Sequence, residues 1–284
     1  MKVTSWNLLH GQTIPASGQA GGSPTVGGIE TEASYRSNLA AVANLLTGDV
    51  IGVQEVDEFQ PRSGQYCQVE LLAQDLKAPY WAYARTVIGT PGFSWRALHT
   101  GEQKLHTQDG RSEDSLPSYG IGLISHIPVV KWHHLELGKS IVGLPLAFPS
   151  EKGIRLQYVK DEPRIAIAAE LENGYTIAVT HLSFVPGVNI YQLRKVQRWL
   201  SKMPGKHILM GDLNLPFNIP TKVSRWRSLQ TKNTYPSWGA KIQFDYLLSD
   251  NLDLSRVKSL DINNLDLTGN LVSDHLPIAV EITD

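Results

Sequence analysis

The run His207-Ile-Leu-Met-Gly-Asp-Leu-Asn-Leu-Pro216 constrains the fold more than any other part of the chain. It is an apolar stretch of strand character that ends in a carboxylate, Asp212, and an amide, Asn214, two positions apart. Side chains two apart in an extended backbone point to the same face. A buried strand therefore delivers an acid and a hydrogen-bonding amide together at its mouth. Core packing gives little reason to end a strand this way, whereas binding a metal or holding a water for attack does. Trp6-Asn7, Gln54-Glu55, Thr180-His181 and Ser273-Asp274-His275 repeat the design, each at one end of an apolar run. The chemistry that suits such a set is metal-dependent hydrolysis of a phosphoester.

The periodicity along the chain predicts how these ends meet. Val3–Asn7 reads as a strand, and residues 11–29 as a loop rich in Gly, Ser and Pro. Tyr35, Leu39, Val42 and Leu46 form the stripe of an amphipathic helix, and Val50–Glu55 a buried strand. Val69, Leu72 and Leu76 mark a second helix; Ile190, Leu193, Val196 and Leu200 mark a third. Strands are expected at 81–88, 120–125, 129–137, 164–171, 175–182, 207–213, 242–248, 255–261 and 276–282. Residues 89–118 and 139–162 read as long irregular segments. Glu172-Asn173-Gly174 between two strand patterns argues for a hairpin, and helices follow only some strands, so a uniform βαβ repeat does not fit. The expected architecture is an α/β (α+β) fold of two packed, mostly antiparallel sheets with helices outside, in one domain over residues 1–284. Strands of opposite direction would bring their polar ends to one rim.

Composition narrows the partners. Lys and Arg number 26 against 27 Asp and Glu, a net charge of −1 that supplies no global pull toward nucleic acid or acidic membranes. Five cations without an acid lie in 221–241 (Lys222, Arg225, Arg227, Lys232 and Lys241), beside Trp226 and Trp238. They read either as an anion-binding stretch or as solvated surface. The one cysteine, Cys67, excludes an intrachain disulfide and is expected to fill core. No signal-peptide pattern opens the chain, and no apolar run approaches the roughly 20 residues that span a bilayer. The expected protein is a cytoplasmic monomer. His-Glu-x-x-His and Gly-x-x-x-x-Gly-Lys-Ser/Thr are both absent, which removes zinc peptidases and P-loop nucleotide hydrolases.

Taken in order, Trp6-Asn7, Gln54-Glu55-Val56, Thr180-His181-Leu182, Gly211-Asp212-Leu213-Asn214, Phe244-Asp245-Tyr246 and Ser273-Asp274-His275-Leu276-Pro277 resemble the endonuclease/exonuclease/phosphatase superfamily. That group includes DNase-type nucleases, abasic-site endonucleases, neutral sphingomyelinases and inositol polyphosphate 5-phosphatases. Any one motif is weak alone; six in order over residues 6–277 are specific. The resemblance implies a four-layer sandwich with the active site at the sheet rim. It further implies Glu55 as the main ligand of Mg²⁺ (or Mn²⁺) with Asn7 beside it, a donor set that suits an oxygen-preferring ion.

By the same resemblance Asp212 orients or deprotonates the attacking water and Asn214 contacts a phosphate oxygen. His275 contacts the phosphate opposite, paired with Asp274, whose carboxylate would fix its tautomer. Asp245 is similar to the acid that hydrogen-bonds a catalytic histidine or assists a second metal. His181 resembles the histidine of DNase-like and sphingomyelinase-like members, where abasic-site endonucleases carry a tyrosine. Leu9 stands where abasic-site endonucleases usually place an aspartate, which also favours the histidine-bearing branch. DNase-like members hold that histidine with a mid-chain glutamate, but here Glu113 and Asp114 are merely nearby and no partner can be assigned. Arg164 resembles a substrate-phosphate arginine, with a salt bridge to Asp161 or Glu162 as the alternative, and His10 is a further substrate contact near the rim. The reading is a phosphodiesterase, nuclease or small-molecule phosphatase acting by in-line attack of water. High-affinity duplex binding is not favoured. A catalytically silent member acting as a binding module is the alternative.

Overall fold

The computed structural model describes residues 1–14, 32–110, 113–150, 153–262 and 271–283. The glycine-rich stretch from residue 15 to 29 lies outside them. Two open sheets pack face to face. In the first, the strands run in the order Val257–Leu260, Ile278–Ile282, Lys2–Asn7, Val50–Glu58, Ser118–Ser125, Tyr80–Thr90, Ser94–Arg96, with Leu105–Thr107 added beside Tyr80–Thr90. In the second, the order is Arg227–Ser228, Asp245–Ser249, Lys206–Asp212, Tyr175–His181, Arg164–Leu171, Val129–Gly138. Each sheet is antiparallel except at one pair: Lys2–Asn7 with Val50–Glu58, and Tyr175–His181 with Lys206–Asp212.

Alternation within the strands produces the layers. Val3, Val50, Ile167, Ile177, Val179, Met210 and Val280 face inward and fill the space between the sheets. Gly52 permits that approach, since a Cβ there would sit 2.7 Å from Met210 Cε and 2.8 Å from Val179 Cγ2. The opposite face of the first sheet, with Trp6, Ile51 and Val53, is covered by helices Glu32–Leu45 and Gln68–Asp75, and Cys67 packs there as core. The outer face of the second sheet, with Ala166, Ala178 and Leu209, is covered by helix Val188–Leu200 through Leu193, Val196 and Leu200. Each such buried aliphatic contributes about 1.5–3 kcal/mol relative to exposure. The result is the expected four-layer sandwich. Among the described residues no helix is long and apolar enough to cross a membrane.

Two segments expected to be irregular carry structure. Residues 139–162 contain an antiparallel hairpin of Leu144–Ser150 with Gly153–Val159, and 89–118 contains the short strands Ser94–Arg96 and Leu105–Thr107. Ile154-Arg155-Leu156-Gln157-Tyr158 does alternate apolar and polar residues, but Pro145 and Pro149 interrupt the facing strand. Among the described residues these two strands pair with each other alone, and Leu156 and Tyr158 stand exposed.

Candidate active site

Strand direction brings the candidate residues together. Asn7, His181 and Asp212 are the last residues of their strands, while Asp245 is the first of an antiparallel one. Ser273, Asp274 and His275 precede the antiparallel strand Ile278–Ile282. All therefore reach the same rim of the sandwich.

Glu55 reaches it by a different device. Along the edge with Ser118–Ser125 the register runs Gln54↔Ile121 and then Val56↔Gly120, so Glu55 is the extra residue of a β-bulge. Its φ is +56°, a left-handed conformation that a side chain adopts rarely, and Asn214 (+49°) and Ser273 (+64°) share it. Three of the residues that converge at the rim thus sit on left-handed backbone. Gly211, with φ +134°, has no room for a Cβ, which would lie 1.8 Å from the Thr180 carbonyl oxygen. This close approach sets His181 and Asp212 directly opposite each other across paired strands.

Asp212 is the hub. Its Oδ2 accepts from Asn7 Nδ2 at 3.1 Å and lies 3.4 Å from His181 Nε2 and 3.7 Å from His275 Nε2. Its Oδ1 accepts from the Asn214 backbone N–H at 2.9 Å, and the Asn214 amide reaches His181 Nε2 at 3.2 Å. Burial raises the Asp212 carboxyl to about 6, against the pull of the His275 charge. His181 is the reverse case: burial, with the charges of Arg164 and His275, pushes it well below the ordinary imidazole value and keeps it neutral. Among the described residues no mid-chain acid holds it; Asp114 is engaged by Arg85 at 2.8 Å, in a network with the buried Glu58 and His106.

The partner of His275 is Asp245 rather than the adjacent Asp274. Asp245 Oδ2 lies 2.8 Å from His275 Nδ1, and the carboxylate is fully buried. Asp274 is partly exposed and its backbone carbonyl accepts from Ser237 N–H at 2.7 Å. Neighbouring side chains in a turn diverge, so an acid from another strand makes the pair. Burial opposes the imidazolium, yet the carboxylates of Asp245 and Asp212 outweigh it and hold His275 well above its ordinary value. The His275 loop is pinned from below: its carbonyl accepts from Trp6 Nε1 at 2.9 Å, and Ser273 Oγ donates to the Asn7 carbonyl at 2.6 Å.

Glu55 Oε1 accepts from Asn7 Nδ2 at 3.0 Å. Burial, joined by the charge of Asp274, raises this carboxyl to about 7 despite the Asn7 hydrogen bond. Asn7 turns its amino group to both acids and accepts from Leu9 N–H through Oδ1. It therefore braces Glu55 and Asp212, and ligation through its oxygen requires the amide to turn over. Asp212, Asp245 and His275 also bring one ligand atom each within 4.8 Å of one another, and Asp245 Oδ1 is buried without a hydrogen-bond partner. Two carboxyls raised chiefly by burial, Glu55 and Asp212, beside a third acid, Asp245, with an orphaned oxygen, fit a divalent oxygen-preferring cation.

The remaining expectations divide. Arg164 is buried and does make the salt bridges, to Asp161 at 3.5 Å and Glu162 at 3.3 Å, while its charge still reaches His181. His10 is buried, and desolvation followed by the Arg62 charge lowers it to about 4, so it stands neutral. The basic run 221–241 does not form one face. Arg227 pairs with Ser249 at the end of its strand remote from Asp245, Trp226 stacks on His207 in the core, and Lys232 bonds Asp261. Two rim residues escaped the sequence reading. Arg62 is held by Asp57 through two hydrogen bonds of 2.8 Å, and Tyr235 packs on the His275 ring with centroids 5.0 Å apart. Arg62 lies in the loop after the Glu55 strand, where an Asp five positions upstream was the available signal; Tyr235 had none.

Residues 4–275 match the profile of the Endonuclease/Exonuclease/phosphatase family. No curated protein matches the chain. Solved structures do. An endonuclease/exonuclease/phosphatase family protein from Leptotrichia buccalis aligns with TM-score 0.55 at 15% identity, covering 100% of both chains. The mannosyl-6-phosphatase of Bacteroides thetaiotaomicron aligns with TM-score 0.57 at 12% identity, again over 100% of both. Truncated Caenorhabditis elegans TDP2 aligns with TM-score 0.53 at 17% identity, over 100% of this chain and 97% of that one. At such identities the likeness is one of fold.

Proposed function

The chain belongs to the endonuclease/exonuclease/phosphatase family, and on that premise we propose that it is a divalent-metal-dependent phosphoester hydrolase. Its members act on phosphoesters. The observation that carries the reading for this chain is the charge pattern around Asp212, with a neutral imidazole and an imidazolium on either side of a carboxyl poised near 6. A base of that strength near neutral pH is suited to taking a proton from water, and an imidazolium to stabilising a developing phosphoryl charge.

Glu55 would hold Mg²⁺ or Mn²⁺, with Asn7 as its brace or, once its amide turns, as a second ligand. When bound, the ion supplies charge neutralisation at the phosphoryl oxygen and the leaving group. Asp212, oriented by the Asn214 N–H and by Asn7, holds and deprotonates the attacking water. His275, kept protonated by Asp245, donates to a non-bridging oxygen. His181, whose Nε2 faces the Asn214 amide nitrogen, borders the same space and would donate to a phosphoryl or leaving oxygen once that amide turns away and Nε2 carries the proton. Arg164, held by Asp161 and Glu162, still adds positive potential at His181 from behind. One domain over the whole chain, a monomeric state and a cytoplasmic location complete the proposal.

Hydrolysis of bis-p-nitrophenyl phosphate and p-nitrophenyl phosphate with Mg²⁺ or Mn²⁺ tests it. Turnover should vanish with EDTA and return with the ion. Activity undiminished by exhaustive chelation refutes the metal assignment. No turnover of any phosphoester with either ion favours a silent binding module.

A further inference from the structure

A cleft of about 460 Å³ opens between the two sheets, lined by Phe93, Trp95 and Arg96 on one wall and by Lys139 and Lys160 on the other. Both walls are braced to strand ends that carry rim residues. On one side the Gln60 side chain donates to the Gly89 carbonyl at 2.6 Å and accepts from Thr90 Oγ1 at 2.8 Å, tying the Ser94–Arg96 hairpin to the loop that holds Arg62. On the other, Asp161 Oδ2 accepts from Ser140 N–H at 2.6 Å and from Ser183 Oγ at 2.9 Å. It thereby fixes the segments of Lys139 and Lys160 beside Arg164 and His181.

The charges in this cleft are not balanced. Arg96 is neutralised by Glu102 at 2.6 Å. Lys139 and Lys160 are exposed, have no ion pair among the described residues, and share the cleft with no acid. Lys139 Nζ instead rests 5.1 Å from the centre of the Trp95 ring, a contact that leaves its charge available to an anion. Phe93 stands 60% exposed at the mouth, giving a flat apolar surface beside the two ammonium groups.

We propose that this cleft is a second substrate subsite, which holds a further phosphate on the part of the substrate that is not hydrolysed. The preferred substrate is then a phosphoester with a second phosphate, carried on a scaffold with a flat or ring-shaped face for Phe93 and Trp95. This rests on the hydrolase reading above and names its substrate class. It also accounts for a protein of net charge −1 that recruits a polyanion with a local pair of cations.

Two matched pairs of probes test it: thymidine 5′-(p-nitrophenyl phosphate) with and without a 3′-phosphate, and fructose 1,6-bisphosphate against fructose 6-phosphate. In at least one pair the doubly phosphorylated member should show kcat/KM about tenfold higher, mainly through KM, the effect of two charge-assisted contacts. In the double variant Lys139→Ala/Lys160→Ala that preference should vanish, while the singly phosphorylated member changes less than about twofold. Equal kcat/KM within both pairs, or a preference that survives in the double variant, overturns the subsite. If no probe turns over with Mg²⁺ or Mn²⁺, the hydrolase reading fails on its own. Calorimetry with thymidine 3′,5′-bisphosphate against thymidine, metal omitted, then still decides the cleft: lysine-dependent binding of the bisphosphate supports it, and its absence refutes it.

Discussion

Glu55→Gln is expected to stabilise the metal-free protein at pH 8 while destroying its activity. The Glu55 carboxyl stands at about 7, against 4.5 for an ordinary glutamate, because it is buried beside Asp274. Folding therefore favours its protonated form. That contribution is complete below the unfolded value of about 4.5 and is lost as pH rises through about 7. At about 1.4 kcal/mol for each pH unit, the displacement sets a ceiling of roughly 3 kcal/mol on the cost of ionising it. The side chain keeps some contact with solvent, so about 2 kcal/mol is the expected value. Glutamine retains an oxygen for the Asn7 amide and removes the charge. Urea denaturation in metal-free buffer should then show the variant more stable by about 2 kcal/mol at pH 8, the difference shrinking as pH falls and vanishing below about pH 4.5. Added Mg²⁺ at a hundred times its Kd should reverse the order, since an ion bound only by the native wild type then contributes about 2.7 kcal/mol. A variant less stable at pH 8, or a difference that does not change with pH, would refute the account of Glu55 as a carboxylate held for an ion.

Asp212→Asn and His275→Ala should each lower kcat by roughly 10² or more, the scale of positioned acid–base groups, with thermal unfolding showing the fold intact; near-normal kcat removes that residue from the chemistry. Asp245→Asn takes away the first carboxylate that holds His275 protonated, so the alkaline limb of its pH–rate profile should move to lower pH. An unchanged limb would mean that His275 does not act as the acid. With metal omitted, duplex-DNA binding should be weak at 150 mM salt and its salt slope shallower than that of a protein neutralising about 6–10 phosphates, which loses about 10³–10⁵ in affinity between 50 and 200 mM. Nanomolar affinity under those conditions, with a steep slope, would contradict the separation of Arg227 and Lys232 from a common face.

What the sequence revealed and what it hid follow from the range of the forces involved. The strands and three helices were legible because each buries an apolar stripe whose period is written locally, as Leu193, Val196 and Leu200 illustrate. The meeting of Asn7, His181 and Asp212 was legible because strand direction fixes which ends share a rim. The pairing of His275 was legible in part: the resemblance offered Asp245 as an acid for a catalytic histidine, but the sequence neighbour Asp274 was set beside His275. It depends on which carboxylate a turn presents, and Asp245, 30 positions away in sequence, outcompetes the neighbour. The hairpin of 144–150 with 153–159 was hidden because Pro145 and Pro149 mask its first strand, although Ile154, Leu156 and Tyr158 alternate in the second. Arg62 and Tyr235 were hidden because their roles come from what folds against them: Asp57 for one, the His275 ring for the other. The basic run 221–241 stayed open between two readings because proximity in sequence says nothing about the two ends of a strand, and Arg227 sits at the remote one.

The bulge at Glu55 also separates what this chain is from what it does. Pairing passes from Gln54↔Ile121 to Val56↔Gly120 as though Glu55 were not there. Removing one residue from a regular strand turns every later side chain to the wrong face. Removing this one would restore a regular ladder and leave Val56, Asp57 and Glu58 with their present partners. The acid proposed to hold the metal is thus a residue the sheet has no use for, and a single-codon deletion is expected to yield the scaffold without the chemistry.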